Sequence, residues 1–141
     1  MIKLPAQFSD WFATRGWSIH DHQQQMLDKA DATALLLIAP TGGGKTLAGF
    51  LPSLIDLAAS PRQGLHTIYI SPLKALAADI KRNLSTPVTE MDLPVRIEDR
   101  TGDTPSSRKR RQRADPPHIL LTTPESLALL ISYKDAPRIF A

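Results

Sequence analysis

The residues best suited to chemistry lie in one short stretch, where three glycines precede a lysine and a threonine. The glycines can expose backbone N–H groups to an anion, and the helix that opens after them adds unpaired N–H groups and a positive dipole end. A lysine there can bridge the β- and γ-phosphates of a nucleotide, and a threonine hydroxyl can bind Mg²⁺. We therefore predict a phosphate-binding loop for ATP and Mg²⁺, formed by Pro40, Thr41, Gly42, Gly43, Gly44, Lys45 and Thr46.

This loop needs a strand before it and a helix after it, and the sequence supplies candidates for both. Leu35–Ile38 is typical of a buried strand, and an apolar stripe at helical spacing runs through Gly44–Ala59. Pro52 predicts a kink or an early helix end near Phe50. Without such flanking elements, the loop would be an ordinary glycine turn with an exposed lysine.

Beyond the loop, short apolar runs alternate with segments of helical period. We expect strands at Thr67–Ser71, Val95–Glu98 and Ile119–Thr122, and helices at Leu73–Leu84, Pro105–Ala114 and Pro124–Ile131. Thr86–Pro94 is predicted to be a surface loop. Such alternation predicts an α/β fold with a parallel sheet and helices on both faces.

The first thirty residues differ in composition from the rest. Four aromatic residues, which favour a small core over a ligand platform, precede a Gln-rich helix candidate at His20–Ala30; they are Phe8, Trp11, Phe12 and Trp17. We divide the chain into lead-in helices over 1–30 and part of a nucleotide-binding domain over 31–141.

Composition excludes several classes of protein. The 141 residues include no cysteine, which excludes disulfide scaffolds and thiolate metal sites, and the four histidines lack a compact ligand spacing. We expect no membrane segment, because no apolar run approaches the roughly 20 residues that a bilayer requires. The net charge of +3 is compatible with a polyanionic partner but does not establish one.

Two predicted strands end at polar residues that could bind a phosphate backbone. Ser71 and Lys74 follow one strand, and Thr122 and Thr123 stand at the end of another. Ligands of parallel sheets bind along the carboxyl ends of the strands. Spacing alone leaves an alternative of equal weight, in which Ser71 caps a helix and Lys74 is solvated.

The motifs in this order resemble superfamily 2 helicases. Ala39–Thr46 resembles motif I, Ser71–Leu76 motif Ia, Arg100–Thr104 the glycine-containing turn that follows, and Thr122–Leu127 the next DNA-contacting motif. The sequences of these motifs are similar to those of the large-helicase-related family, and within it they most resemble the DEXH-box members associated with an ATP-dependent DNA ligase. The resemblance implies a RecA-like lobe of an ATP-dependent DNA helicase that acts in DNA repair, in the bacterial cytoplasm at the nucleoid, with a DNA ligase among its partners.

The resemblance also implies roles for individual residues. Gln23 is expected to read the adenine edge, with Gln24 and Gln25 as rivals and a polar helix face as an equal alternative. The expected nucleic-acid contacts are Ser71, Pro72, Leu73, Lys74, Gly102, Asp103, Thr122, Thr123, Pro124 and Glu125. Phosphoryl transfer is expected to depend on Lys45 and Thr46.

A basic run, Arg108–Arg113, could be a nucleic-acid clamp, but we favour a solvated helix.

The chain contains no Asp-Glu-x-His sequence, the motif that supplies the magnesium carboxylate and the base. We therefore expect a fragment, incomplete at its C-terminus, that hydrolyses almost no ATP alone. Two alternatives remain open: a translocase that acts on RNA or on protein–DNA complexes, and a non-catalytic nucleotide- or DNA-binding module.

Overall fold

The computed structural model describes residues 1–39 and 45–140, in which three parallel strands are combined with seven helices. In chain order the elements are α1 (Ala6–Thr14), α2 (Asp21–Asp28), α3 (Lys45–Ala59), β1 (Thr67–Ile70), α4 (Lys74–Glu90), β2 (Ile97–Arg100), α5 (Ser106–Ala114), β3 (Ile119–Thr122), α6 (Pro124–Ile131) and α7 (Ala136–Ile139). The strand order is β1-β3-β2. Ile119 of the central strand pairs with Thr67 on one side and Ile97 on the other.

The central strand β3 is buried on both faces. Ile119 and Leu121 pack with buried side chains of α1 to α4, whereas Leu120 packs with Leu130 of α6 and Ile139 of α7. Successive side chains of a strand point to opposite faces, so β3 contributes to a core on each side of the sheet. The predicted α/β fold with helices on both faces is confirmed.

Helix α3 continues past its proline, so the early helix end expected near Phe50 is wrong, and the alternative of a kink there stays a prediction. The helix runs to Ala59 with Pro52 inside it. Phe50 and Leu51 before the proline and Leu54 after it are all buried in the core. Burial of this stripe on both sides of Pro52 outweighs the backbone hydrogen bond that a proline removes.

Helix α4 also extends further than its sequence suggests, so the predicted surface loop Thr86–Pro94 is wrong in its first half. The helix reaches Glu90 and contains a buried proline, Pro87. Helix α1 packs against this end, where the Trp11 Nε1 donates to the Glu90 carboxylate at 2.5 Å. These tertiary contacts stabilise a last helical turn that propensity alone disfavours.

The strand expected at Leu35–Ile38 is absent from the described residues. Leu36 is 86% exposed and Ile38 is 84% exposed. A strand requires backbone hydrogen bonds to a neighbouring strand, and the pairings among the described residues are those of β1 with β3 and of β2 with β3. Strand β2 begins two residues later than expected, at Ile97 rather than Val95.

The lead-in residues share the main core with the rest of the chain. Phe8, Trp11 and Phe12 of α1 and Leu27 of α2 belong to the same buried cluster as the α3 stripe. Most of the aromatic group therefore forms core, as expected. The boundary drawn at residue 30 stays a prediction.

Candidate nucleotide and nucleic-acid sites

The described part of the predicted phosphate-binding loop is the start of helix α3. Lys45 and Thr46 are its first two residues, and both are exposed. The other residues predicted for the loop lie outside the described residues; they are Pro40, Thr41, Gly42, Gly43 and Gly44. An exposed lysine and hydroxyl at the first turn of a 15-residue helix suit an anion, because the helix dipole and unpaired N–H groups add to the lysine charge.

A pocket of about 500 Å³ adjoins this helix start. Thr46 and Leu47 of α3, Asn83 and Pro87 of α4, and residues before and within α2 line it. The lining from the first thirty residues consists of Trp11, Phe12, Arg15, Trp17, Ser18, His20 and Gln23. A mainly apolar pocket with a few polar groups is the usual form of a small-molecule site.

The structure favours Gln23 over its two rivals for a place in this pocket. Gln23 is 3% exposed, lines the pocket, and accepts a hydrogen bond from the His20 N–H at 2.9 Å through its Oε1. Gln24 instead donates to the Ile2 carbonyl at 2.6 Å and to Asp28 at 2.9 Å. Gln25 is exposed on the outer side of α2. The adenine role of Gln23 stays a prediction.

Trp17 differs from the other lead-in aromatics because the residue is 50% exposed. The ring meets Trp11 edge-on at 5.6 Å, and the Arg15 guanidinium lies 5.3 Å from its centre. Arg15 in turn pairs with Glu90 at 2.7 Å. Trp17 therefore offers the pocket a fixed aromatic surface, which the interpretation of all four aromatics as core missed.

The carboxyl ends of the three strands bring the other predicted residues together. Lys74 begins α4 after β1, and its Nζ lies 3.3 Å from both carboxylate oxygens of Asp103, after β2. Glu125, after β3, has its pKa held below the ordinary value by its own backbone N–H and the Thr123 hydroxyl, and the charge of Lys74 acts in the same direction. Lys74 thus lies near carboxylates from two other segments.

The hydroxyls expected to bind nucleic acid are used within the fold. Thr122 is 0% exposed and donates to the Arg100 carbonyl at 2.7 Å. Thr123 caps α6 by accepting from the Ser126 N–H, and the Ser71 hydroxyl accepts from the Leu73 N–H at 3.3 Å. Accessible groups at this edge come instead from Pro72, Leu73, Lys74, Gly102, Asp103, Pro124 and Glu125.

Gly102 is exposed at this edge, and the fold does not require a glycine there. Its φ is not positive, and an added Cβ would meet only the Lys74 Nζ, at 3.8 Å. Space over the Gly102 backbone suits the close approach of a ligand, the other common reason for a glycine.

The basic run on α5 is less solvated than expected. Arg111 makes two hydrogen bonds to Glu98, and Arg113 pairs with Asp135 at 3.0 Å. Helix α5 also covers Arg100, which is 1% exposed. Sequence reasoning missed these contacts, although the charged residues of β2 were a signal that a polar helix would cover this strand.

Within residues 1–39 and 45–140, no helix is long and apolar enough to cross a membrane. The same residues contain no group of three or more His, Asp or Glu arranged to hold a metal ion.

The parallel sheet, with a lysine and a threonine at the start of a helix beside a pocket, defines an α/β lobe of the phosphate-loop NTPase class. The family model described as DEAD/DEAH box helicase matches residues 20–139. The chain belongs to this family.

Individual relatives agree with the resemblance to the large-helicase-related (Lhr) family. The Lhr helicase/probable uracil glycosylase of Mycolicibacterium smegmatis is 48% identical over 110 residues, which cover 69% of this chain and 7% of that protein. The Lhr helicase/uracil glycosylase of Escherichia coli is 37% identical over 155 residues, with 92% of this chain and 10% of that protein covered. The chain thus spans a small part of the length of these relatives.

Solved structures show the same fold. The Mycobacterium smegmatis helicase Lhr bound to ssDNA and AMP-PNP superposes with a TM-score of 0.82 at 41% identity, over 95% of this chain and 18% of that one. The DUF1998 helicase MrfA bound to DNA and AMPPNP gives a TM-score of 0.83 at 26% identity, over 99% of this chain and 20% of that one. These likenesses confirm the predicted fold as a helicase RecA-like lobe.

Proposed function

We propose that this chain is part of the first motor lobe of an ATP-dependent DNA helicase or translocase of superfamily 2. The observation that carries the proposal is that Gln23 and Thr46, expected to bind the base and the Mg²⁺ of one nucleotide, line the same pocket. Two similar structures are of helicases bound to DNA and AMP-PNP, which supports ATP and DNA as the ligands.

In the proposed nucleotide complex, Lys45 would neutralise charge on the β- and γ-phosphates and the Thr46 hydroxyl would hold Mg²⁺. One protein hydroxyl is compatible with Mg²⁺, because this ion usually keeps several of its waters and is bound by phosphate oxygens of the nucleotide together with only a few protein groups. The Trp17 ring provides a surface on which the base can stack, beside the Gln23 amide.

The proposed nucleic-acid path follows the carboxyl edge of the sheet. Lys74 serves as the point charge for a phosphate, and the backbone around Gly102 and the exposed start of α6 supply further contacts. The buried hydroxyls of Ser71, Thr122 and Thr123 contribute by holding these segments in place. We further propose a role in DNA repair in the cytoplasm, with a DNA ligase as a partner, on the family resemblance alone.

A direct test measures ATP turnover and strand displacement by the full-length protein on matched DNA and RNA duplexes. We expect DNA-stimulated ATP hydrolysis and unwinding of the DNA duplex. Lys45→Ala should abolish both while leaving the far-UV circular dichroism spectrum unchanged, because Lys45 is exposed and packs in no core. Preferential unwinding of RNA would favour the RNA alternative, and turnover that survives Lys45→Ala would contradict the nucleotide site.

A further inference from the structure

Arg100, the last residue of β2, is buried between the sheet and helix α5. It is 1% exposed, and its Nη1 donates to the Lys109 carbonyl at 3.0 Å and to the Gln112 Oε1 at 3.2 Å. Gln112 is 4% exposed and donates onward to the Glu98 carboxylate and the Asp99 carbonyl. Arg100 is therefore the inner end of a polar network that docks α5 onto β2.

Burial of this guanidinium is costly. Its Nη2 makes no hydrogen bond to the described residues, and burial lowers the pKa of Arg100 while the nearby Tyr133 opposes that effect. An apolar residue of similar volume often fills such a position with equal or greater stability. Net stability is thus a poor explanation for an arginine here, which points to a positional role.

The segment that Arg100 fixes is the turn at the nucleic-acid edge. The Arg100 backbone carbonyl accepts a hydrogen bond from the Thr122 hydroxyl, so both the main chain and the side chain of Arg100 are held in place. In the turn that follows, the Thr101 N–H donates to the Thr104 Oγ1 at 2.9 Å and the Asp103 N–H donates to the Thr101 Oγ1 at 3.2 Å. This internally bonded turn presents Gly102 and Asp103 to solvent beside Lys74.

We propose that Arg100 is a positioning residue for nucleic-acid binding: by tying α5 to the end of β2, it sets the height and angle of the Thr101–Thr104 turn against the strand of DNA. Because Arg100 is buried, it is assigned to act through the turn and not by direct contact with DNA. The inference rests on the proposed function, since it assigns the turn to the DNA path. It extends that function to a residue which neither the nucleotide site nor the exposed edge contains.

The test compares Arg100→Met, Arg100→Lys and a matched control, Arg113→Met, in the full-length protein. Arg113 is on the same helix, but its hydrogen bonds go to Asp135 and its guanidinium stacks over Tyr133 at 3.9 Å, so it is not a hydrogen-bonded member of the Arg100–Gln112–Glu98 network. The measurements are the single-stranded DNA concentration that half-saturates ATPase stimulation, kcat at saturating DNA, DNA-free ATPase and the unfolding midpoint.

We expect Arg100→Met to raise the half-saturating DNA concentration by about tenfold, while kcat at saturating DNA and DNA-free turnover change less than twofold. Arg100→Lys, which keeps the charge but loses the planar fork, should raise it by about threefold. Arg113→Met should lower the unfolding midpoint but leave the DNA requirement unchanged.

Equal effects of Arg100→Met and Arg113→Met on the DNA requirement would overturn the proposal, because general loosening of α5 would then explain both. If Arg100→Met is insoluble, an Arg100→Lys variant with a wild-type DNA requirement overturns it equally. A wild-type protein whose ATPase does not respond to DNA would instead contradict the proposed function, so the two failures are distinguishable.

Discussion

Replacement of Asp103 by Asn should strengthen binding of single-stranded DNA, because Asp103 competes with a phosphate for Lys74. The Lys74 Nζ lies 3.3 Å from each carboxylate oxygen of Asp103. The two side chains are 56% and 80% exposed, so the ion pair adds little to folding and its loss should not disturb the lobe.

The size of the effect follows from this geometry. A phosphate that contacts Lys74 would lie roughly 6 Å from the Asp103 carboxylate, where repulsion between unit charges in water corresponds to about a threefold change in affinity at low salt. Removal of one opposing charge should also steepen the dependence of log affinity on log salt by up to about 0.7.

The assay is fluorescence anisotropy of a labelled single-stranded oligonucleotide with the full-length protein, at about 50 to 200 mM salt. Asp92→Asn is the matched control, since it removes the same charge at the far end of α4, where Asp92 is exposed with φ of 51°, a conformation that Asn tolerates. Weaker binding by Asp103→Asn would refute the reasoning, because Asp103 would then contact the nucleic acid directly. Identical behaviour of the two variants would also refute it.

Three further predictions concern the turn, the core and the α5 interface. Gly102→Ala should weaken DNA binding at unchanged stability, because the new Cβ has room in the fold but obstructs the exposed backbone. For comparison, Gly49→Ala, on an open face of α3, should raise the free energy of unfolding by about 0.5 to 1 kcal/mol in urea titrations. Leu54→Ala removes a fully buried side chain and should cost about 2 to 5 kcal/mol in the same titration. Burial opposes ionisation of Glu98, but hydrogen bonds from Arg111 and Gln112 outweigh burial and lower the pKa of Glu98. The stability that this carboxylate contributes is therefore present above the ordinary carboxyl pKa and is lost on acidification. Glu98→Gln should flatten the acid side of the stability–pH profile. An unchanged profile in Glu98→Gln would contradict that assignment.

Local sequence patterns located most elements correctly where the signal was strong on both sides. The strand at Ile119–Thr122 and the helix at Pro124–Ile131 match the structure to the residue, because a short apolar run meets a threonine cap and an N-terminal proline. The prolines of α3 and α4 misled the prediction, since their local cost is offset by packing that only the folded chain supplies.

For the candidate sites, the sequence determined the types of residue available: the phosphate-loop lysine and threonine, the ordered helicase motifs and a choice of three glutamines. Their order along the chain is enough to predict this chemistry, because each motif functions through residues that are adjacent in sequence. Tertiary structure decided which of these groups are accessible. It placed Gln23 in the pocket, turned the hydroxyls of Ser71, Thr122 and Thr123 inward, and buried Arg100 beneath α5. The pocket around Gln23 and the burial of Thr122 against Arg100 depend on contacts between residues distant in sequence, which no local pattern encodes.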